Sequence, residues 1–204
     1  MPYILHHSPA SPFVRMVMVV AHESGLADEI ECVDAIGTPL APGTMPVAQN
    51  PLGKIPTLER ADGPAMFDSR VICRFLDSQG TGRLYPDSRI WEVLTLEALA
   101  HGLTEAVLLM TYEARLRPED KQMPEIVDAQ WSKAHRAATA ANARWMSHLS
   151  GPLDAAQIAL ACGLGYADFR HPQRDWRTGN EALAEWYARF SERPSMQATK
   201  PPEG

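Results

Sequence analysis

Gln49-Asn50-Pro51-Leu52-Gly53-Lys54-Ile55-Pro56-Thr57-Leu58 is the stretch on which the reading of this chain turns. Asn50-Pro51 and Gly53 mark a small polar loop. Pro56 has no N–H and restricts the residue before it. An X-Pro bond favours trans by only about 0.5–1 kcal/mol, so Ile55–Pro56 is a candidate cis bond. A cis bond here turns the N–H and C=O of Ile55 away from any neighbouring strand. Unpaired backbone groups of that kind bind an extended peptide by strand addition.

Behind this loop, after the turn-like Ala61-Asp62-Gly63-Pro64, comes Ala65-Met66-Phe67-Asp68-Ser69-Arg70-Val71-Ile72. The apolar start reads as a short strand. Asp68 is a good N-cap, and Val71, Ile72, Phe75 and Leu76 follow at helical spacing. A helix that starts with Asp-Ser offers N–H groups for a carboxylate, a hydroxyl, and a carboxylate for an amine. That set fits the zwitterionic end of an amino acid or of a γ-glutamyl group. The same two residues also read as a plain helix cap, and both readings stay open at this point.

The chain has 204 residues, 45% of them hydrophobic and 22% charged, which suits one large domain or two small ones. A net charge of −6 with no basic run argues against nucleic-acid binding. No window approaches 18 uninterrupted apolar residues, so no membrane-spanning helix is expected. Met1–His7 has no basic segment before its apolar run and does not read as a secretory signal. Three cysteines, at 32, 73 and 162, argue against a disulfide framework and for a reducing, cytoplasmic setting. They lack metal-site spacing, and no metal is expected. His6 and His7, adjacent in a strand, point to opposite faces and do not share one either. Cys73 and Cys162 sit in apolar runs and read as core.

Tyr3-Ile4-Leu5 is a short strand. Ser11-Pro12 starts a helix, Ser at the N-cap and Pro at the first turn, that Gly25 ends. Glu29–Val33 alternates like a strand, and residues 35–48 read as loop. Thr57–Arg60 and Ala65–Phe67 are two strands, followed by a helix from Asp68 to about Gln79. The order is therefore β-α-β and then β-β-α, a parallel pair joined by a crossover and a hairpin with a covering helix. Residues 1–80 read as a thioredoxin-like α/β domain, 81–89 as a linker and 90–204 as an all-helical domain. In the latter, helices are expected over Trp91–Leu116, Pro124–Leu149 and Glu181–Arg193. Asp154-Ala155-Ala156-Gln157 reads as a capping box before the apolar run Ile158–Leu164. From Pro194 onward the tail is expected to be extended.

An α/β half, a helical half, and Asn-Pro-x-Gly-x-Ile-Pro ahead of Asp-Ser together resemble the glutathione transferase family. The resemblance is carried by Ser11–Arg15, Asn50–Leu58, Phe67–Ile72 and Asp154–Ala161. It implies that Ile55, before a cis Pro56, receives the cysteinyl backbone of glutathione, and that Asp68 and Ser69 receive its γ-glutamyl end. It puts Lys54 where members often carry a residue that touches the tripeptide. It implies a serine that favours the thiolate, since a free thiol with a pKa near about 8.5 is mostly protonated at neutral pH. Ser11 fits the Ser-x-x-x-Arg pattern through Arg15, with Ser8 as the rival. The resemblance further implies a detoxifying cytosolic homodimer that takes glutathione as co-substrate and an electrophilic, apolar small molecule as acceptor. His101, Thr104, Leu108 and Tyr112 share a helix face that would line the second-substrate pocket; an interhelical or subunit contact is the other reading. One departure stands out: residues 29–53 hold no Lys, Arg or His for the glycine carboxylate of glutathione. This leaves a second function open, a glutathione-binding or regulatory protein of the same fold without turnover. A thiol–disulfide oxidoreductase would need a cysteine within residues 8–15, and there is none.

Overall fold

Leu5, with no exposed surface, lies at the middle of β1 (Tyr3–His7), and the sheet is laid out around it. A computed structural model describes residues 2–202. β1 pairs in parallel with β2 (Ile30–Asp34) and antiparallel with β3 (Thr57–Arg60), and β3 forms a hairpin with β4 (Gly63–Met66). The strand order is β2-β1-β3-β4, with Leu5 opposite Cys32 on one side and Leu58 on the other. Pro64, which cannot donate to a ladder, is tolerated because β4 is an edge. The expected thioredoxin-like first half followed by helices is therefore present.

α1 (Pro12–Ser24) begins where expected: the Ser11 Oγ accepts from the Val14 N–H at 3.3 Å. It ends at Gly25, whose φ of 76° lies in the left-handed region that favours glycine. α2 (Ser69–Gln79) packs against α1 and buries Ile72, Cys73 and Leu76. The segment from Pro194 is not extended. It forms a short helix, α8 (Pro194–Ala198), whose Met196 carbonyl accepts from Arg15 Nη2 at 3.0 Å. Ser195 Oγ donates to Glu23 Oε1 at 2.6 Å. Proline at a first helical position is well placed, but the contact with α1 spans the whole chain and leaves no local trace. The chain accordingly divides at Asp87, and residues from Pro194 return to the first unit; the second unit is Ser88–Arg193. This differs from the expected limits of 81–89 for a linker and 90–204 for the helical part.

The second unit is built on α3 (Ile90–Leu116), which packs against α4 (Pro124–Arg144) on one side and α6 (Ala155–Arg170) on another. Although no uninterrupted apolar run exists, Asp87–Leu116 is long and apolar enough, by length and composition, to cross a membrane. That apolar surface has a use in packing, since Val93, Leu96, Ala100, Leu103, Val107 and Met110 are buried. The second expected long helix breaks at Trp145, so Met146–Leu149 is a separate turn, α5. α7 (Glu181–Ser191) buries Leu183, Trp186 and Phe190.

Asp154 caps α6 and accepts from the N–H groups of Ala156 and Gln157. The reciprocal half of the expected capping box is not made. Gln157 Nε2 turns instead to the carbonyls of His148, Gly151 and Pro152, around the end of α5. Residues Ala155 to Ala167 are all buried. Within them Gly163 lets α6 approach α3 closely: an added Cβ would stand 2.6 Å from Thr104 Oγ1 and 3.2 Å from Leu103 Cδ2. Gly163→Ala is therefore expected to lower stability. The overpacking cost of about 1–3 kcal/mol exceeds the gain of up to about 1 kcal/mol from alanine's helix propensity. Adding Thr104→Ala should recover part of the loss in a denaturation midpoint; a lone Gly163→Ala that stabilises would refute the close seating.

Candidate functional site

Sheet register brings three segments to one end of the first unit. His6 lies opposite Thr57, so the end of β1, leading to Ser8 and Ser11, meets the start of β3. Leu58 lies opposite Met66, so Ile55-Pro56 ahead of β3 and Asp68-Ser69 beyond β4 share the same end of the hairpin. Residues far apart in sequence are thus gathered by two antiparallel pairings.

The loop before β3 is organised by Asn50, which is 1% exposed. Its Nδ2 donates to the Lys54 carbonyl at 3.0 Å and to Thr57 Oγ1 at 3.1 Å, and its Oδ1 accepts from the Leu52 N–H at 3.1 Å. Thr57 Oγ1 also donates to the Lys54 carbonyl at 2.8 Å. Gly53, at φ 58°, makes the left-handed turn this requires. The Lys54 side chain is left exposed and Pro56 is buried. The Ile55–Pro56 bond is cis. Ile55 takes no backbone hydrogen-bond partner among the described residues. Asn50 was not singled out by sequence reasoning; the signal available was the tendency of Asn to bond its own backbone in turns.

At the start of α2, Asp68 accepts from the Arg70 N–H at 3.1 Å and from Arg70 Nη2 at 3.0 Å. Ser69 is 1% exposed, and its Oγ has no hydrogen-bond partner among the described residues. A buried hydroxyl without a partner costs about 1–3 kcal/mol, which is why such groups are rare unless something else binds them. Ser11 is half-buried, and its N–H donates to the Ser8 carbonyl at 3.0 Å. As an N-cap its Oγ uses a lone pair, which leaves the hydroxyl proton available to a ligand at the positive end of α1. Arg15 is held by α8, one turn beyond Ser11.

In the second unit the four expected residues do not form one open face. His101 lies 4.0 Å from Glu105, and Leu108 and Tyr112 are half-buried. Thr104 is 4% exposed, donates to the Ala100 carbonyl at 2.9 Å and abuts Gly163, so it is a packing residue between α3 and α6. The phenol of Tyr112 is pushed up by burial and by neighbouring Tyr166, with Arg115 opposing. A shallow cleft of about 460 Å³ on this unit is lined by Thr95, Leu99, Ala140, Arg144 and Trp145, and includes none of the expected residues. No group of three or more His, Cys, Asp or Glu able to hold a metal occurs among the described residues.

Residues 10–79 match the sequence model of the glutathione S-transferase N-terminal domain, and residues 124–189 match that of the C-terminal domain. A glutathione transferase family member from Pseudomonas fluorescens Pf-5, solved with bound glutathione, is 43% identical. It superimposes with a TM-score of 0.94 over 98% of this chain and 99% of that one. The chain belongs to the glutathione S-transferase family. A second Pseudomonas fluorescens Pf-5 structure of a glutathione transferase family member, with bound S-(propanoic acid)-glutathione, is also 43% identical, at a TM-score of 0.90 over 98% of this chain and 100% of that one. The uncharacterized GST-like protein YibF of Escherichia coli K12 is 28% identical over 96% of this chain and 97% of its own. In this chain, the sheet end lies within the N-terminal domain match except for β1 and Ser8, which precede it. Tyr112 falls between the two matched regions.

Proposed function

We propose that the first unit binds glutathione at this sheet end, and that the chain transfers the glutathionyl group, bonded through its sulfur, to an electrophilic small molecule with an apolar reacting part. The observation that carries this reading is Ser69 Oγ, buried and without a partner, beside the first N–H groups of α2. A γ-glutamyl carboxylate accepting from Ser69 and those N–H groups would satisfy them. Asp68 would hold the amine. Ile55, unpaired next to Pro56, would take the cysteinyl backbone by strand addition. Ser11 would donate to the sulfur and favour the thiolate, and the exposed Lys54 would meet the glycine carboxylate. Support comes from the relative of 43% identity that holds glutathione. His101, Leu108 and Tyr112 remain the residues assigned to the second substrate. The reading includes a homodimer in a reducing cytoplasm.

The absence of Lys, Arg and His from residues 29–53 favours one other reading, a glutathione-binding protein without turnover. Calorimetric titration of glutathione separates binding from catalysis. Binding is expected, and Ser69→Ala should weaken it about 10-fold or more, since a hydrogen bond to a charged group contributes about 1.5–3 kcal/mol. No heat at millimolar glutathione would end both readings. Binding without turnover of chlorodinitrobenzene or a wider electrophile panel would select the second.

A further inference from the structure

Phe13 to Ala21 of α1 carry one charged side chain, Arg15, and the fold buries it to 8% exposure. A buried guanidinium ordinarily meets a carboxylate. The arginine–carboxylate pairs among the described residues are made by Arg60, Arg70, Arg89, Arg117, Arg174 and Arg177, and Arg15 is not one of them. Its Nη2 donates to the Met196 carbonyl at 3.0 Å, and its Nε is buried with no acceptor among the described residues. Met196 has no exposed surface, and Ser195 beside it is 5% exposed and donates to Glu23 Oε1 at 2.6 Å. α8 is thus tied to the first turn of α1 at Arg15 and to its last turn at Glu23.

Arg15 follows Ser11 by four residues, and its N–H donates to the Ser11 carbonyl at 3.0 Å. Residues four apart stand one above the other on a helix, the second side chain tilted toward the N-terminus. A positive charge therefore lies one turn behind the Ser11 hydroxyl, at the helix end where the dipole already favours an anion. Its burial keeps water from it, so it is screened less than a surface charge. The bond to the Met196 carbonyl needs a donor and no charge, which leaves the charge itself without a use in the fold.

We propose that Arg15, seated by α8, is a positioning residue for thiol ionisation, adding its charge to the field at the start of α1 and favouring the thiolate of glutathione bound at Ser11. The proposal rests on the glutathione reading above and deepens it. In this step the S–H bond of the tripeptide breaks, sulfur keeps the electron pair, and the proton passes to solvent. Arg15 gives up no proton and touches no reacting atom.

The ultraviolet absorbance of the thiolate, followed against pH in the binary complex with glutathione, tests this. Arg15→Gln keeps a donor for the Met196 carbonyl and removes the charge. Its thiol midpoint is expected about one pH unit above that of the wild type, the shift that a unit charge roughly 10 Å away gives at an effective dielectric of about 20. Turnover should fall up to about tenfold at about pH 6.5, with the KM for glutathione unchanged, and recover at about pH 9.5, where the thiol is ionised in either protein. Damage to packing would lower it at both. Arg15→Lys should restore most of the midpoint. Arg15→Met fills a similar volume with no charge to desolvate, and makes the same comparison if the Gln variant folds poorly. Ser195→Ala, which cuts the other tie of α8 and leaves the charge, is the control. An unchanged midpoint in Arg15→Gln and Arg15→Met, or an equal rise in Ser195→Ala, would overturn the proposal and leave the glutathione reading intact. No heat from the wild type at millimolar glutathione would refute that reading and the proposal with it.

Discussion

Ser11→Ala is expected to lower the turnover of glutathione with an activated aryl halide by about 10²-fold or more, as removal of one preorganised donor to a developing anion does elsewhere. The hydroxyl sits at the N-cap of α1, where the Val14 N–H occupies one lone pair of Oγ and the helix field favours negative charge nearby. A thiol bound there would lose its proton more readily than in water. In the variant, the rise of rate with pH should move toward the ordinary thiol pKa of about 8.5. Glutathione binding should change little, because the contacts proposed for Ile55, Asp68 and Ser69 remain. The same substitution removes a helix cap, at about 1 kcal/mol of stability, so the variant should stay folded with a slightly lower melting temperature. Ser8→Ala is the control. If it, and not Ser11→Ala, loses the activity, the role belongs to Ser8, whose carbonyl already accepts from the Ser11 N–H.

Asp154→Ala is expected to cost about 3 kcal/mol of stability, roughly 1 kcal/mol from the lost cap and the rest from a cation left without its counter-charge. The carboxylate has no exposed surface. One oxygen accepts from the N–H groups of Ala156 and Gln157 at 3.1 and 3.2 Å. The other lies 3.3 Å from Arg89 Nη2 and 2.8 Å from His148 Nε2, the latter an approach not aligned as a hydrogen bond. Asp154→Asn keeps an acceptor for the cap but loses the charge, so it should fall between wild type and alanine. The measurement is the denaturant midpoint of the three proteins. A loss no larger than the roughly 1 kcal/mol of an ordinary cap would mean that Arg89 and His148 gain nothing from this carboxylate.

Short-range features were legible because short-range physics decides them. Ser11, Asp68 and Asp154 each accept from backbone N–H groups two or three residues ahead, and such caps are chosen by residue type and spacing alone. The Ile55-Pro56 loop and the amphipathic α7 belong to the same class; β2 forms where expected, but its burial does not alternate, since four of its five residues are exposed. Gln157 marks the limit. Its spacing from Asp154 fits a capping box, yet three carbonyls around the end of α5 compete for its amide and win. Thr104 and Tyr112 look alike on a helical face, but the approach of α6 at Gly163 buries the first and leaves the second half-open.

Fold class, the helix starts and the motif residues of the sheet end were therefore determined locally, by backbone hydrogen bonding and hydrophobic period. Tertiary structure alone decided three things: the gathering of Ser11, Ile55 and Ser69 at one sheet end, the lack of a partner for Ser69's hydroxyl among the described residues, and the docking of α8 on α1. Each depends on which distant groups arrive within about 3 Å, the range over which a hydrogen bond is made or missed. Pattern along a chain carries no information at that range between residues many positions apart.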